Sequence, residues 1–126
     1  MLKESVLQAH VLQELTLLEN CGLLLVERTN NFKGTIMRRT KKGTSTGFLK
    51  TGKKGSTDIK VYLPKGITLH LEAKKEDGKQ NPAQIEWQHK LEKLDHIYRI
   101  VRSVEELKVI LAELCPDVFK SVYQMN

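Results

Sequence analysis

The 126-residue sequence has no long apolar run: Leu23-Leu24-Leu25-Val26 stops at Glu27. A helix that crosses a bilayer needs about 20 such residues, so a membrane span is excluded. The opening Met1-Leu2-Lys3-Glu4 lacks the apolar stretch and small-residue cleavage site of a secretory leader. An intracellular protein is therefore expected. Cysteine is scarce. Cys21 and Cys115 lie far apart and read as two reduced thiols; they are too few for a disulfide framework or a four-cysteine zinc site. A phosphate-binding Gly-Lys-Thr loop of the ATPase kind is also missing, so no nucleotide cofactor is expected. The length predicts one domain over 1–126 with one modest core.

Acidic residues are nearly absent from one segment. Between Arg28 and Lys60 there are ten Lys or Arg residues and a single acid, Asp58, although the whole chain has 15 Asp and Glu against 21 Lys and Arg. The net charge of +6 is thus concentrated, and the rest of the chain has more acids than bases. Such a segment attracts a polyanion, for which nucleic acid is the commonest intracellular candidate. It also serves simply as a solvated surface. Arg38, Arg39, Lys41, Lys42, Lys53 and Lys54 are the candidate phosphate contacts.

Periodicity places the elements. Leu7, Val11, Leu15 and Leu18 form one stripe of a helix over 3–20, stopped near Gly22. Leu23 to Glu27 reads as a strand. The Gly-, Thr- and Lys-rich stretch from about 30 to 57 admits short strands near Thr35–Arg39 and Gly47–Lys50, or a basic loop that orders on DNA. Residues 58–74 alternate as a hairpin around Pro64-Lys65-Gly66, with Gly66 suited to a left-handed position. That register pairs Leu63 with Ile67 and sets Asp58 opposite Glu72. Asn81, Pro82 and Gln84 open a helix with a capping box, whose stripe is Gln84, Trp87, Leu91 and Leu94. Ile97 to Val101 is a strand. A second capping box, Ser103 to Glu106, starts a helix with Leu107, Ile110, Leu111 and Leu114 inward, and Pro116 ends it. The tail after Asp117 gives no signal. The order helix, strands, hairpin, helix, strand, helix predicts an α/β domain with a central mixed sheet.

The chemistry concentrates on the second hairpin strand. Alternation puts Glu72 and Lys74 on one face and Leu71 and Ala73 on the other. Asp58 adds a second carboxylate across the hairpin. Two such carboxylates repel unless a cation lies between them, and hard oxygen donors suit Mg²⁺ or Mn²⁺. A bound ion of that kind polarises a phosphodiester, and Lys74 orients water or offsets developing charge. The plainer alternative is a solvated strand face, with Asp58 as a turn residue. His70 shares the face of Glu72, from which it could approach a metal, but an exposed strand histidine is the favoured reading. His10, His89 and His96 lack ligand spacing, and Trp87 reads as a core residue.

Gly55-Ser56-Thr57-Asp58, Glu72-Ala73-Lys74 and Gln84 after Asn81-Pro82 together resemble the VRR-NUC family of the PD-(D/E)XK nuclease superfamily. Lys3-Glu4-Ser5-Val6-Leu7-Gln8 is similar to its opening helix, and Tyr98 to Leu107 to its closing strand and helix. The resemblance covers the chain apart from the basic segment and the tail. It implies a restriction-endonuclease-like core. It also implies Asp58, Glu72 and the Ala73 backbone carbonyl as metal ligands, Lys74 as the catalytic lysine, and Gln84 and Glu4 as residues reaching into the site. By composition and spacing alone, Gln84 also serves as a helix cap, and Glu4 as an acid placed well near a helix N-terminus. The family often has Pro where Thr57 stands. Its small stand-alone members resemble junction-resolving enzymes, and many are carried by phages. That likeness implies a homodimer that cuts branched DNA such as a four-way junction, in the cytoplasm of a bacterial host. A non-catalytic DNA-binding module on the same fold, or a nuclease directed at RNA, are the other readings.

Overall fold

A computed structural model describes residues 2–29, 33–40, 43–50 and 55–125, the two middle segments as backbone. Helix α1 (Glu4–Asn20) forms on the expected stripe, and Leu7, Val11, Leu15 and Leu18 are all buried. It ends in a Schellman turn. Gly22 takes φ 77° and donates to Glu19 O at 2.9 Å, and Leu23 N donates to Leu18 O at 3.1 Å. That turn uses up Leu23 and Leu24, so strand β1 (Leu25–Arg28) starts two residues later than the apolar run implies. The Glu19 carboxylate accepts the Val26 N–H at 2.8 Å and fastens the helix end to β1.

Strands β2 (Lys33–Thr40) and β3 (Gly43–Lys50) pair antiparallel from Lys33↔Lys50 to Thr40↔Gly43. They make a two-stranded sheet separate from the main one, longer than the short strands expected there. Strands β4 (Ile59–Leu63) and β5 (Ile67–Ala73) take the expected register, with Leu63 opposite Ile67. The ladder's far end is Ile59↔Leu71, so Asp58, one residue before it, falls opposite Glu72. In the Pro64–Gly66 turn both Lys65 (φ 66°) and Gly66 (φ 74°) are left-handed, where Gly66 alone was expected.

Strand β6 (Ile97–Val101) lies parallel to β5, giving the sheet order β1-β4-β5-β6. Strand β5 is therefore interior, with a partner on each side. Helices α2 (Pro82–Lys93), α3 (Val104–Leu114) and α4 (Pro116–Val122) complete the fold. One sheet face carries Ile59, Val61, Leu63, Leu69, Leu71, Ala73 and Val101. They form a single core with the inward residues of α1, α3 and α4. The opposite face carries Glu72 and Tyr98 and is covered by α2, whose Gln84 reaches Glu72. Among the described residues no helix is long and apolar enough to cross a membrane. Cys21 and Cys115 are both free thiols.

Three details depart from the expected pattern. Leu94 is not on the inward stripe of α2; it is 71% exposed. The helix has already ended there, with Asp95 left-handed (φ 65°) and His96 N donating to Leu91 O. At α3, Ser103 caps the Glu106 N–H as expected, but the Glu106 carboxylate accepts the Arg102 N–H at 3.1 Å, one residue earlier than a full capping box requires. The tail, silent in the sequence, forms α4 and buries Phe119 completely. Phe119→Ala is expected to cost about 3–5 kcal/mol of folding free energy through the cavity it leaves. Urea unfolding measures this, and a loss under about 1 kcal/mol would mean that α4 is not part of the core.

Candidate active site

Strand β5 is the axis of the site. The strand is interior, and its polar residues His70 and Glu72, with Lys74 just past its end, are only 8%, 6% and 8% exposed. A solvated strand face, the plainer expectation for Glu72 and Lys74, does not describe them. Nor is His70 an exposed strand histidine. It is buried with its ring edge-on to His96, centroids 5.8 Å apart, and its Nδ1 has no partner among the described residues. Desolvation, followed by the nearby Lys60 and His96 charges, lowers the pKa of His70 and favours the neutral ring.

Glu72 is the central group. Burial pushes its pKa from 4.5 to about 7. Lys74 pulls it down, Asp58 and Glu4 push it up, and the Tyr98 hydrogen bond favours the charged form. These influences show that Asp58 and Glu4 lie close enough for their charge to be felt at Glu72. Gln84 does two jobs with one side chain. Its Oε1 accepts the Asn81 N–H at 3.0 Å, while Asn81 Oδ1 accepts the Gln84 N–H at 2.9 Å, which closes the capping box. Its Nε2 donates to Glu72 Oε1 at 2.8 Å. Glu4, at the start of α1, brings Oε1 to 3.8 Å from Lys74 Nζ. The start of the first helix thus meets the lysine that directly follows β5.

Backbone direction completes the donor set. Lys74 N donates to Val101 O of β6 at 3.0 Å. By alternation along the strand the Ala73 carbonyl points the other way, toward β4 and the Asp58 end.

Gly55 sets the approach to Asp58. It takes φ 81°, and a Cβ there would lie 2.2 Å from the Ala83 carbonyl oxygen in the first turn of α2. The segment 55–58 is thereby laid against the helix that carries Gln84, and only glycine fits. Thr57 is 1% exposed and its hydroxyl has no partner among the described residues.

Two of the six candidate phosphate contacts fall on a described strand. Arg38 and Arg39 lie on β2 opposite Ser45 and Thr44, and Lys41, Lys42, Lys53 and Lys54 fall outside the described residues. His10, His89 and His96 are exposed. Trp87 is half-buried with its indole N–H enclosed, as a packed residue would be. Two site neighbours were missed in the sequence. Tyr98 and Gln80 join Glu72 through the β5–β6 pairing, and nothing in a linear sequence shows that β6 lies beside β5.

The donor chemistry suits a hard divalent ion. Among the described residues no group of three or more His, Cys, Asp or Glu side chains could hold a metal by itself. Two carboxylates and one backbone carbonyl would leave the remaining positions to water and phosphate, the way Mg²⁺ is usually bound.

No family model and no curated protein matches the sequence. A solved structure described as a VRR_NUC domain does match, with a TM-score of 0.59 and 20% identity, over 88% of this chain and 96% of that chain. The chain has the VRR_NUC fold. The mixed four-stranded sheet flanked by helices is that fold, and it agrees with the α/β core expected from the sequence.

Two stability measurements probe this site without any assay of activity. A carboxyl whose folded pKa is raised contributes stability that is complete below the unfolded value and lost as pH rises through the folded one. For Glu72 that window runs from 4.5 to about 7. In metal-free buffer Glu72→Gln should melt higher than the parent at pH 8, with the gap closing toward pH 4.5; a pH-independent gap would contradict the burial effect. Gly55→Ala should cost more than the roughly 1–2 kcal/mol of a left-handed backbone alone, because its methyl meets a backbone carbonyl. A near-neutral urea titration would show that segment 55–58 does not rest on α2.

Proposed function

We propose that this chain is a divalent-metal-dependent nuclease that hydrolyses phosphodiester bonds in DNA and belongs with the VRR-NUC nucleases. One observation carries the reading: the buried Glu72 carboxylate, with Lys74 beside it and Asp58 across the hairpin, is held by Gln84 on a VRR_NUC fold. Burying an acid and a lysine on the same strand face is costly, and such pairs concentrate at sites of function.

On this reading Asp58, Glu72 and the Ala73 carbonyl hold Mg²⁺ or Mn²⁺. When bound there, the ion supplies polarisation of the scissile phosphate and eases ionisation of an attacking water. Lys74 presents its ammonium on the same strand face as Glu72 and stabilises charge that builds on the phosphate, or orients the water. Gln84 keeps one Glu72 oxygen in place. Glu4 steadies the Lys74 ammonium from the end of α1. The basic segment between Arg28 and Lys60 supplies phosphate contacts that carry no sequence information. Preference for branched DNA and a homodimeric state rest on the family likeness; two sites related by a two-fold suit the paired strands of a four-way junction.

Purified protein incubated with linear, forked and four-way DNA should cut only with Mg²⁺ or Mn²⁺, most rapidly on branched substrates, and not in chelator. Glu72→Ala should lower cutting by at least about 100-fold, the scale of a lost electrostatic contribution at a reacting centre, while DNA affinity in chelator stays within a few-fold. A folded parent that binds these DNAs and cuts none of them would instead support the non-catalytic binding module. Faster cutting of matched RNA duplexes would redirect the substrate to RNA.

A further inference from the structure

A carboxylate held at one oxygen only still rotates about its last torsion, which is broad and soft. Gln84 holds Glu72 at Oε1. The second oxygen faces Tyr98, a β6 residue that is 4% exposed and sits on the same sheet face. Tyr98 Oη accepts a hydrogen bond from Gln80 Nε2 at 3.0 Å, and the same Gln80 amide donates to Gln88 Oε1 of α2 at 2.9 Å. With its lone pair engaged by Gln80, the phenol turns its single proton elsewhere. Among the described residues its acceptor is Glu72 Oε2, at 3.5 Å. That separation is long for a hydroxyl on a carboxylate, so the contact is weak as found and has room to shorten. Phenylalanine would fill the same space for packing alone. The oxygen and its amide partner have no use in the core, because Tyr98 is not part of the apolar cluster on the other face.

We propose that Tyr98, aimed by Gln80, is a positioning residue that fixes the second oxygen of Glu72, so that the carboxylate meets a divalent ion in a preset orientation. The proposal rests on the reading of Glu72 as an ion ligand, and its test separates the two. Groups that hydrogen-bond a metal-ligating side chain typically change metal affinity by 10-fold or more when removed.

Mn²⁺ binding is measured by titration calorimetry on the full chain for the parent, Glu72→Gln, Tyr98→Phe and Gln80→Met, with thermal melts in chelator alongside. The expected result is tight binding by the parent, near-complete loss in Glu72→Gln, and about 10-fold weaker binding in Tyr98→Phe. Gln80→Met should weaken binding in the same direction while leaving Tyr98 in place, which keeps the test decisive if Tyr98→Phe fails to fold. If the parent and Glu72→Gln behave as expected but both other variants bind as tightly as the parent, the positioning role is overturned and Glu72 remains a ligand. If the parent binds no Mn²⁺, the ligand reading of Glu72 falls, and the positioning role with it.

Discussion

One buried carboxylate governs the polar side of this molecule. Glu72 sits on an interior strand under a helix, where its charged form is penalised. Left alone there, an ionised acid would cost several kcal/mol. Each neighbour answers part of that cost. Lys74 contributes opposite charge two residues along the strand, and Gln84 and Tyr98 contribute hydrogen bonds from α2 and β6. Asp58 and Glu4 act in the other direction and raise the cost again. Adding acids around a buried acid makes poor sense as a way to stabilise a fold. It makes good sense if the balance is completed by a cation that comes and goes.

The fold keeps this cost away from the elements that supply stability. Helices α1, α3 and α4 pack on one face of the sheet with the apolar residues of β4 and β5, and the completely buried Phe119 and Leu71 are in that layer. Glu72 and Tyr98 occupy the opposite face, where the buried apolar residue of α2 is Leu91. Strand β5 belongs to both layers, alternating Leu69, Leu71 and Ala73 with His70 and Glu72, and Lys74 follows directly. A strand buried on both faces can hold a reactive group rigidly, because its backbone is fixed on two sides by ladders and its side chains are fixed by packing.

What could be read from the sequence was local. The hairpin register followed from strict alternation and a three-residue turn, so the opposition of Asp58 and Glu72 was visible before any fold was known. Gln84 was visible as a cap because capping boxes have a fixed spacing, and its spare amide then reached Glu72. What could not be read depended on strand order. An alternating strand such as β5 usually exposes its polar face, so His70 was taken as exposed; its burial follows only once β6 and α2 are in place. The same missing neighbour hid Tyr98. Lys33–Thr40 and Gly43–Lys50 were indistinct because Gly, Thr and Lys give no apolar alternation, and α4 because seven residues are too few for a stripe.

The contrast between an enzyme and a plain binding module turns on what each would retain. A surface that only holds DNA needs positive charge, and the segment from Arg28 to Lys60 has that without any help from β5. Such a module gains nothing from an acid beside its basic surface, since carboxylates repel phosphate. Here the acids are gathered from three separate places: the start of α1, the approach to β4 and the middle of the sheet. A glycine that tolerates no side chain lays the second of these against the helix carrying Gln84. Stability alone would favour replacing Glu72 with an apolar residue of similar size. On the proposed reading these groups converge in spite of the cost because costly arrangements persist where function requires them.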